Sequence, residues 1–513
     1  MLTSSAPAPA SHAVVIGAGL GGLAAAMRLG AKGWHVTVLD RLDRAGGRGS
    51  SITQGGHRFD LGPTIVTVPD VFEDLWAATG HDFHKDVDLR PLDPFYTIRW
   101  PDGSHFAATG DTDRMIAEVN RLSPRDVPGY LRFLKDADRR FVVGYLGMVA
   151  KPMHRLWETV KVLPEFARLR ADRSIFGLAK ARVRDPRLQM ALSFHPLFIG
   201  GDPCHVTSMY ALVSHLEKEF GVHYAIGGVQ AIADGMARIV RKQGGTIRAN
   251  TTVDRITFDG DRATGVRLAD GTHVPAALTV SNADAGHTYQ TLMRDHPRKR
   301  WTDAKLTRAR WSMGLFVWYF GTKGTRHMWP DLGHHTILSG PRYEGLLNDI
   351  FIKGRLADDH SLYIHRPSVT DPTAAPEGDD TFYVLSPVPN LGGANPVDWA
   401  REESIYRDKV AATLDTVMPG FREHMTESLI FTPETFRDRY LSPLGAGFSL
   451  EPRILQSAWF RPHNVSEEAE GLYLVGAGTH PGAGLPGVVS SAKVLAQLVP
   501  DAPATPAIRM AAE

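Results

Sequence analysis

Cysteine is almost absent: Cys204 is the only one in 513 residues. No intrachain disulfide can form, and a reducing compartment is the expected setting. Excess charge is missing as well. Fifty-seven Lys and Arg stand against 56 Asp and Glu, which gives no reason to expect nucleic acid as a partner. No run approaches the about 18 apolar residues of a membrane-spanning helix, so a span is not expected. Met1–His12 has neither a basic residue nor an apolar core. It reads as a disordered lead-in rather than a secretory signal, and Pro500–Glu513 reads as a similar tail. Metal-ligand spacing is also lacking. His195, His334, His335 and His480 do not stand with cysteines or carboxylates at zinc-site intervals, and no metal is expected.

What the chain does have is glycine in useful places. Gly17-Ala18-Gly19-Leu20-Gly21-Gly22 lies between the apolar run Ala13–Ile16 and a helical stretch from Leu23 to Lys32. Strand, glycine turn and helix start follow in the order a dinucleotide pyrophosphate requires. Gly17 permits the tight turn, Gly19 lets backbone N–H groups approach phosphate, and Gly22 lets the helix pack on the strand. The next strand, His35–Leu39, ends on Asp40. A carboxylate there accepts a ribose 2′-OH and repels a 2′-phosphate, so the adenosine half belongs to FAD or NAD rather than NADP. Downstream, Arg48 follows the turn Gly46-Gly47, and its forked guanidinium suits a pyrophosphate oxygen.

Two further pieces carry the same character. Gly227-Gly228 opens an amphipathic helix with Ile232, Met236, Ile239 and Val240 on one period, closed by Gly244-Gly245. Short strand-like runs follow at 246–248, 255–258, 265–268 and 277–280, with Asp270-Gly271 as a hairpin turn. Near the C-terminus, the strand-like Leu472–Val475 meets the glycine-rich loop Gly476–Gly484, and Pro486 opens a last helix. Between these pieces, residues 76–222 and 291–464 hold most of the aromatics, which implies a second domain built from two insertions. The expected class is α/β. A Rossmann-like dinucleotide domain is assembled from 11–75, 223–290 and 465–500, interleaved with an α+β substrate domain of 76–222 and 291–464. Gly445-Ala446-Gly447 lacks a preceding apolar strand, so no second dinucleotide site for a separate NAD(P)H is expected.

Taken together, Val15–Ala26 with Gly46-Gly47-Arg48 resembles FAD-binding flavoproteins of the amine oxidase and GDP-dissociation-inhibitor type. Phe59-Asp60-Leu61-Gly62-Pro63-Thr64 and Leu472–Gly487 narrow the resemblance to carotenoid desaturases, specifically bacterial-type phytoene desaturases. Ser281–Asp284, Ser457–Asn464 and Ala191–His195 look like segments of that family too. Ala211–Gly228, including Glu217–Tyr224, and Arg310–Gly324 look most like the enzymes of purple photosynthetic bacteria.

The resemblance implies stepwise dehydrogenation of 15-cis-phytoene, through phytofluene and zeta-carotene, to neurosporene, with lycopene as the alternative end point. It implies that Gly17, Gly19, Gly22, Asp40, Gly47 and Arg48 hold the ADP half of FAD, that Val253 meets the adenine region, and that Gly478, Gly487 and Val488 lie near the pyrophosphate and flavin ring. The FAD is expected to be non-covalent, reoxidised by a quinone or dioxygen. Arg173 matches an arginine placed near the substrate tunnel, with Asp172 a further candidate; Trp318 is a second tunnel position. A later-pathway carotenoid desaturase or isomerase, and a non-catalytic prenyl-lipid carrier, are the competing readings.

Phe141–Ala150 is almost wholly apolar and is flanked by Arg139, Arg140, Lys151, Arg155, Trp157 and Lys161. Ten residues cannot span a bilayer, but the pattern suits the headgroup boundary. A C40 hydrocarbon is nearly insoluble in water. The expected location is therefore cytoplasmic, peripherally bound to the inner (photosynthetic) membrane.

Overall fold

The computed structural model describes residues 10–503. Its first layer is a five-stranded parallel sheet ordered Thr246–Arg248, His35–Leu39, His12–Ile16, Leu278–Ser281, Leu472–Leu474. Val15 pairs with Val38 on one side and Val280 on the other. Alternate side chains leave opposite faces, and each face has its own core. Ala13, Val15, Val36 and Val38 pack under the helices Leu20–Ala31, Gly228–Lys242 and Leu485–Leu498. Val14, Ile16, Leu39 and Leu472 pack instead against the antiparallel meander Val253–Asp259, Arg262–Leu268, His273–Pro275. Burial on both faces is why these strands read as unbroken apolar runs.

The second layer is a seven-stranded mixed sheet ordered Met425–Phe431, Gly314–Thr322, Asp380–Val388, Leu362–His365, His335–Leu338, Tyr96–Arg99, His105–Ala108. Its strands come from the two aromatic-rich segments, joined where His335–Leu338 pairs in parallel with Tyr96–Arg99. The central strand Gly314–Thr322 is buried throughout. Phe316, Trp318 and Phe320 point to a core with Trp399, Tyr406 and Phe421. Leu315, Val317 and Tyr319 point to the other face, with Phe59, Tyr383 and Phe436.

Several sequence expectations shift. The first helix starts at Leu20, not Leu23, so the glycine turn is tighter than its sequence length suggests. His12 already belongs to the first strand, where its Nδ1 bonds the Pro275 carbonyl. The start of the tail is also anchored: Trp34 Nε1 donates to the Pro500 carbonyl at 3.0 Å, and Ala502 N to Lys32 O at 2.9 Å. Residues 1–9 and 504–513, where the rest of the lead-in and tail fall, lie outside the described residues. Trp318 faces the aromatic core, its Nε1 on Ser428 Oγ at 2.9 Å, and is not a tunnel residue. No helix among the described residues is long and apolar enough to cross a membrane.

Candidate functional site

A cavity of about 650 Å³ runs from the edge of the parallel sheet to the inner face of the mixed sheet. Its two ends differ in chemistry. Gly17, Gly19, Asp40, Gly46–Gly49, Thr251–Val253 and Gly482–Val488 line one; Tyr145, Met148, Phe166, Phe198, Ile337 and Leu385 line the other.

At the glycine end, Gly17 takes φ +93°, a conformation suited to glycine, and its N–H bonds Leu39 O at 2.7 Å. The turn leaves the first N–H groups of helix Leu20–Ala31 without a side-chain cap, which makes them free to meet an anion. A Cβ on Gly22 would stand 2.0 Å from the Gly17 carbonyl oxygen. Gly22 is thus what closes helix onto turn, and it does not itself line the cavity. Asp40, at the end of the second strand, accepts from Ala18 N at 2.6 Å and Leu42 N at 2.8 Å. Burial pushes its carboxyl above the usual range, and those two N–H groups work against the rise. Each oxygen keeps a lone pair for a further donor.

Gly46 and Gly47 both take positive φ, and Gly46 N reaches Ala18 O at 2.8 Å, so the second turn is pinned to the first. This carries Gly47 and Arg48 to the cavity wall. Arg48 donates to Ser442 Oγ and lies 5.4 Å from the Tyr440 ring centroid, while its Nε is buried without a partner. Burial lowers the Arg48 pKa, against the pull of nearby Asp284. Asp284 is raised by burial, opposed by Arg48; its Oδ1 accepts from Gly286 N, and Oδ2 has no partner. Val253 lines this end, and it begins the meander rather than the strand directly after Gly244-Gly245.

The third glycine loop is held by Arg461, which is buried and donates to the carbonyls of Ala477, Thr479, Leu450 and Gln456. Gly487 and Val488 line the cavity at the start of the last helix. Gly478 does not. A Cβ there would meet Ala285 N at 2.8 Å, so its role is close packing between loop and neighbour.

Asp172 and Arg173 are both solvent-exposed and neither lines the cavity; Asp172 pairs with Arg170 at 2.9 Å. The turn is tied inward only by its backbone, through Ala171 O to Thr207 Oγ1 and Arg173 O to Ser208 N. Charges in solvent are screened by water, and neither side chain reaches the cavity wall where a substrate-proximal role would place it. Cys204 lies off the cavity, and burial pushes its thiol up to about 12.

The four histidines separate. His480 Nε2 bonds the Met148 and Lys151 carbonyls, tying the third loop to the apolar segment, and burial lowers its pKa to about 4. His334 and His335 meet His365, with ring nitrogens within 4.8 Å of one another, and burial drives all three toward neutrality. His195 lines the apolar half beside Glu217 and Tyr96. Sequence reasoning gave no role to Tyr440, Asp284, Arg461 or Glu217. Asp284, Arg461 and Glu217 sit inside segments already singled out by resemblance, which was the available signal.

The apolar segment also differs from expectation. Phe141–Val149 continues helix Val127–Arg140 with wide π-type turns. Phe141 is buried, stacked 4.1 Å from His215, and Arg140 is buried against the Leu169 carbonyl and Ser208. Neither is a surface group. Val142, Leu146, Leu156, Trp157 and Leu163 are at least half exposed. Leu163 also lines the cavity, with Thr159, Val162 and Phe166 on its helix, so the cavity reaches the surface inside this apolar rim.

Residues 20–500 match the family of flavin containing amine oxidoreductases. Two curated relatives are neurosporene-forming phytoene desaturases. The one from Cereibacter sphaeroides is 66% identical, with 100% of each chain covered; the one from Rhodobacter capsulatus is 67% identical, covering 96% of this chain and 94% of its own. A lycopene-forming phytoene desaturase from a Paracoccus species is 43% identical, covering 96% and 97%. Among solved structures, an oxidoreductase from Methanosarcina mazei superposes with TM-score 0.65 at 18% identity, covering 95% and 100%. Cyclohexylamine oxidase from Brevibacterium oxydans gives 0.61 at 15%, covering 96% and 98%; both share the fold. With the family matched over nearly the whole chain and relatives this similar along their full length, the chain belongs to the flavin containing amine oxidoreductases, in their phytoene desaturase branch.

Proposed function

We infer that this chain is a flavin-dependent phytoene desaturase that forms neurosporene from phytoene. One observation carries the reading: a single cavity joins bare glycine turns to an apolar chamber that reaches the surface within an apolar rim. A nucleotide cofactor and a hydrocarbon can meet there without water between them.

The residues fit FAD. Gly17, Gly19 and Gly47 offer bare backbone, Asp40 stands ready for ribose hydroxyls, and the orphaned Arg48 Nε is a donor without an acceptor in a buried wall. When bound, the flavin supplies the hydride acceptor that no side chain provides. Arg48 would meet the pyrophosphate, and Gly487 and Val488 would bring the positive end of the last helix toward the ring. With Cys204 off the cavity, non-covalent binding is the reading the chemistry favours. The lack of a second dinucleotide fingerprint favours a quinone or dioxygen as electron acceptor. Leu315, Ile337 and Leu385 exclude water and hold the polyene by dispersion and burial alone.

The exposed face of Leu156–Arg168, with Val142 and Leu146, supports docking on the cytoplasmic face of the inner membrane, where a C40 hydrocarbon is dissolved. Incubating FAD-loaded protein with phytoene in liposomes, with and without a quinone, tests the function. Conjugated products are expected only with the acceptor present or in air. Untouched phytoene would favour a later-pathway enzyme, and a colourless protein releasing no FAD on heating would favour a carrier.

A further inference from the structure

Each desaturation removes a hydride from one carbon and a proton from its neighbour, so the cavity needs a group to meet the positive charge in between. We propose that Glu217 is that group: its carboxylate stabilises the allylic cation left by hydride departure and takes the neighbouring proton. This rests on the phytoene desaturase reading above.

Elimination within the cavity points to it. Among the described residues three carboxylates line the walls, Asp40, Asp284 and Glu217. Asp40 is committed to Ala18 and Leu42 N–H groups at the nucleotide end, and Asp284 faces Arg48. Glu217 alone stands in the apolar half, with Phe194, Leu216 and Ile337 as fellow lining residues. The histidines offer no alternative. His480 Nε2 is engaged by the Met148 and Lys151 carbonyls, His195 Nε2 by Glu217 and Tyr96, and His287 lies near Arg41. The tyrosines of the wall, including Tyr343, Tyr363 and Tyr383, are held neutral by burial.

The geometry around Glu217 is built. Helix Leu212–Phe220 presents it, and its side chain is only 9% exposed. Tyr96 Oη donates to Oε2 at 3.0 Å, and His195 Nε2 lies 3.1 Å from the same oxygen. Both contacts fall on Oε2, with Tyr96 Oη also 3.1 Å from His195 Nε2, and among the described residues none bonds Oε1, so one oxygen is anchored and the other is left for the cavity. A buried carboxyl group held only by one hydroxyl and one imidazole costs folding energy and is retained where it has work to do. One C–H bond would break and its hydrogen depart with the electron pair, as the hydride that a bound flavin would accept. The adjacent C–H bond then breaks, its electron pair becomes the new C=C, and its proton goes to Glu217 Oε1, to be lost to water after product leaves.

Binding can be read apart from turnover. FAD-loaded protein in liposomes is titrated with a long-chain polyprenyl tertiary amine, protonated at neutral pH, and with the matching neutral hydrocarbon, following tryptophan fluorescence. Wild type should prefer the ammonium by about tenfold or more, as a cation mimic in a low-dielectric site. In Glu217→Gln that preference should vanish while hydrocarbon affinity persists, and single-turnover desaturation should fall by roughly a hundredfold. Glu217→Asp keeps the charge but shortens its reach, so the preference should remain while the rate drops about tenfold. Wild-type preference and rate in Glu217→Gln would overturn the proposal. Should that variant lose flavin, an unchanged rate in Glu217→Asp would overturn it equally. Phytoene left untouched by wild type would instead overturn the desaturase reading.

Discussion

Asp40 shows how far a single residue can be read. Strand, turn and carboxylate are contiguous in sequence, so local chemistry fixes their arrangement, and the structure brings Asp40 to the cavity beside Gly17 and Gly19. Replacing it with alanine removes hydrogen bonds to a charged acceptor, each worth about 1.5–3 kcal/mol. The Kd for FAD, measured by fluorescence titration, should rise roughly ten- to a hundredfold; wild-type affinity in Asp40→Ala would refute the ribose assignment. Arg48 was legible as a cation after a glycine turn, but its partners were not. Tyr440, Ser442 and Asp284 lie hundreds of residues away, and only tertiary packing unites them. The exposure of Asp172 and Arg173 was illegible for a related reason. A resemblance transfers residue types, and it does not say which side of a turn meets the solvent.

Elements with a clear period were legible. The parallel strands and the helix Gly228–Lys242 fall close to their predicted places because burial on two faces, or on one stripe, leaves a distinct pattern. Phe141–Val149 has no such pattern, being apolar at nearly every position, so sequence could not separate its buried face from its exposed one. The structure does. Val142→Asp with Leu146→Asp and Trp157→Asp should lower sedimentation with liposomes while FAD content stays unchanged. Phe141→Asp should lower FAD content and thermal stability, because that ring is core. If the triple variant also sheds FAD, the exposed rim is not a docking face.

Asp74, on the helix Asp70–Ala77, receives Arg28 from the first helix and Lys493 from the last, the latter at 2.8 Å. Burial alone would raise its pKa, but the hydrogen bonds from Lys493 and Arg28 outweigh it and hold the carboxyl below its usual value. A depressed folded pKa stabilises above the unfolded value of about 3.9, and that stabilisation is lost as pH falls through the folded one. With Asp74 39% exposed, screening limits the effect to about 0.5–1 kcal/mol. Asp74→Asn should therefore lower Tm at pH 7, and the gap to wild type should close toward pH 3. A gap that stays constant with pH would show that the pair contributes nothing electrostatic.

At the scale of the molecule, two sheets meet over one cavity, and the account turns on what leaves it. On the proposed reading, each desaturation would lengthen and stiffen the conjugated run, and the stiffer product would fit a cavity that takes flexible phytoene less well. Release then competes with a fourth step, and about 1.4 kcal/mol between them shifts the outcome tenfold. The three glycine pieces supply the strands of the parallel sheet, and the aromatic-rich segments between them supply those of the mixed sheet. The cavity's length and exit were not legible in the sequence, since they depend on Leu315, Ile337 and Leu385 from three strands meeting Leu163 from a distant helix. The most direct test is product composition over time, at low enzyme, with phytoene in excess in liposomes and a quinone present, resolved by chromatography. The account predicts neurosporene as the dominant product from the earliest time points, with lycopene minor and rising only as enzyme approaches substrate. Lycopene predominating from the outset under multiple turnover would contradict it.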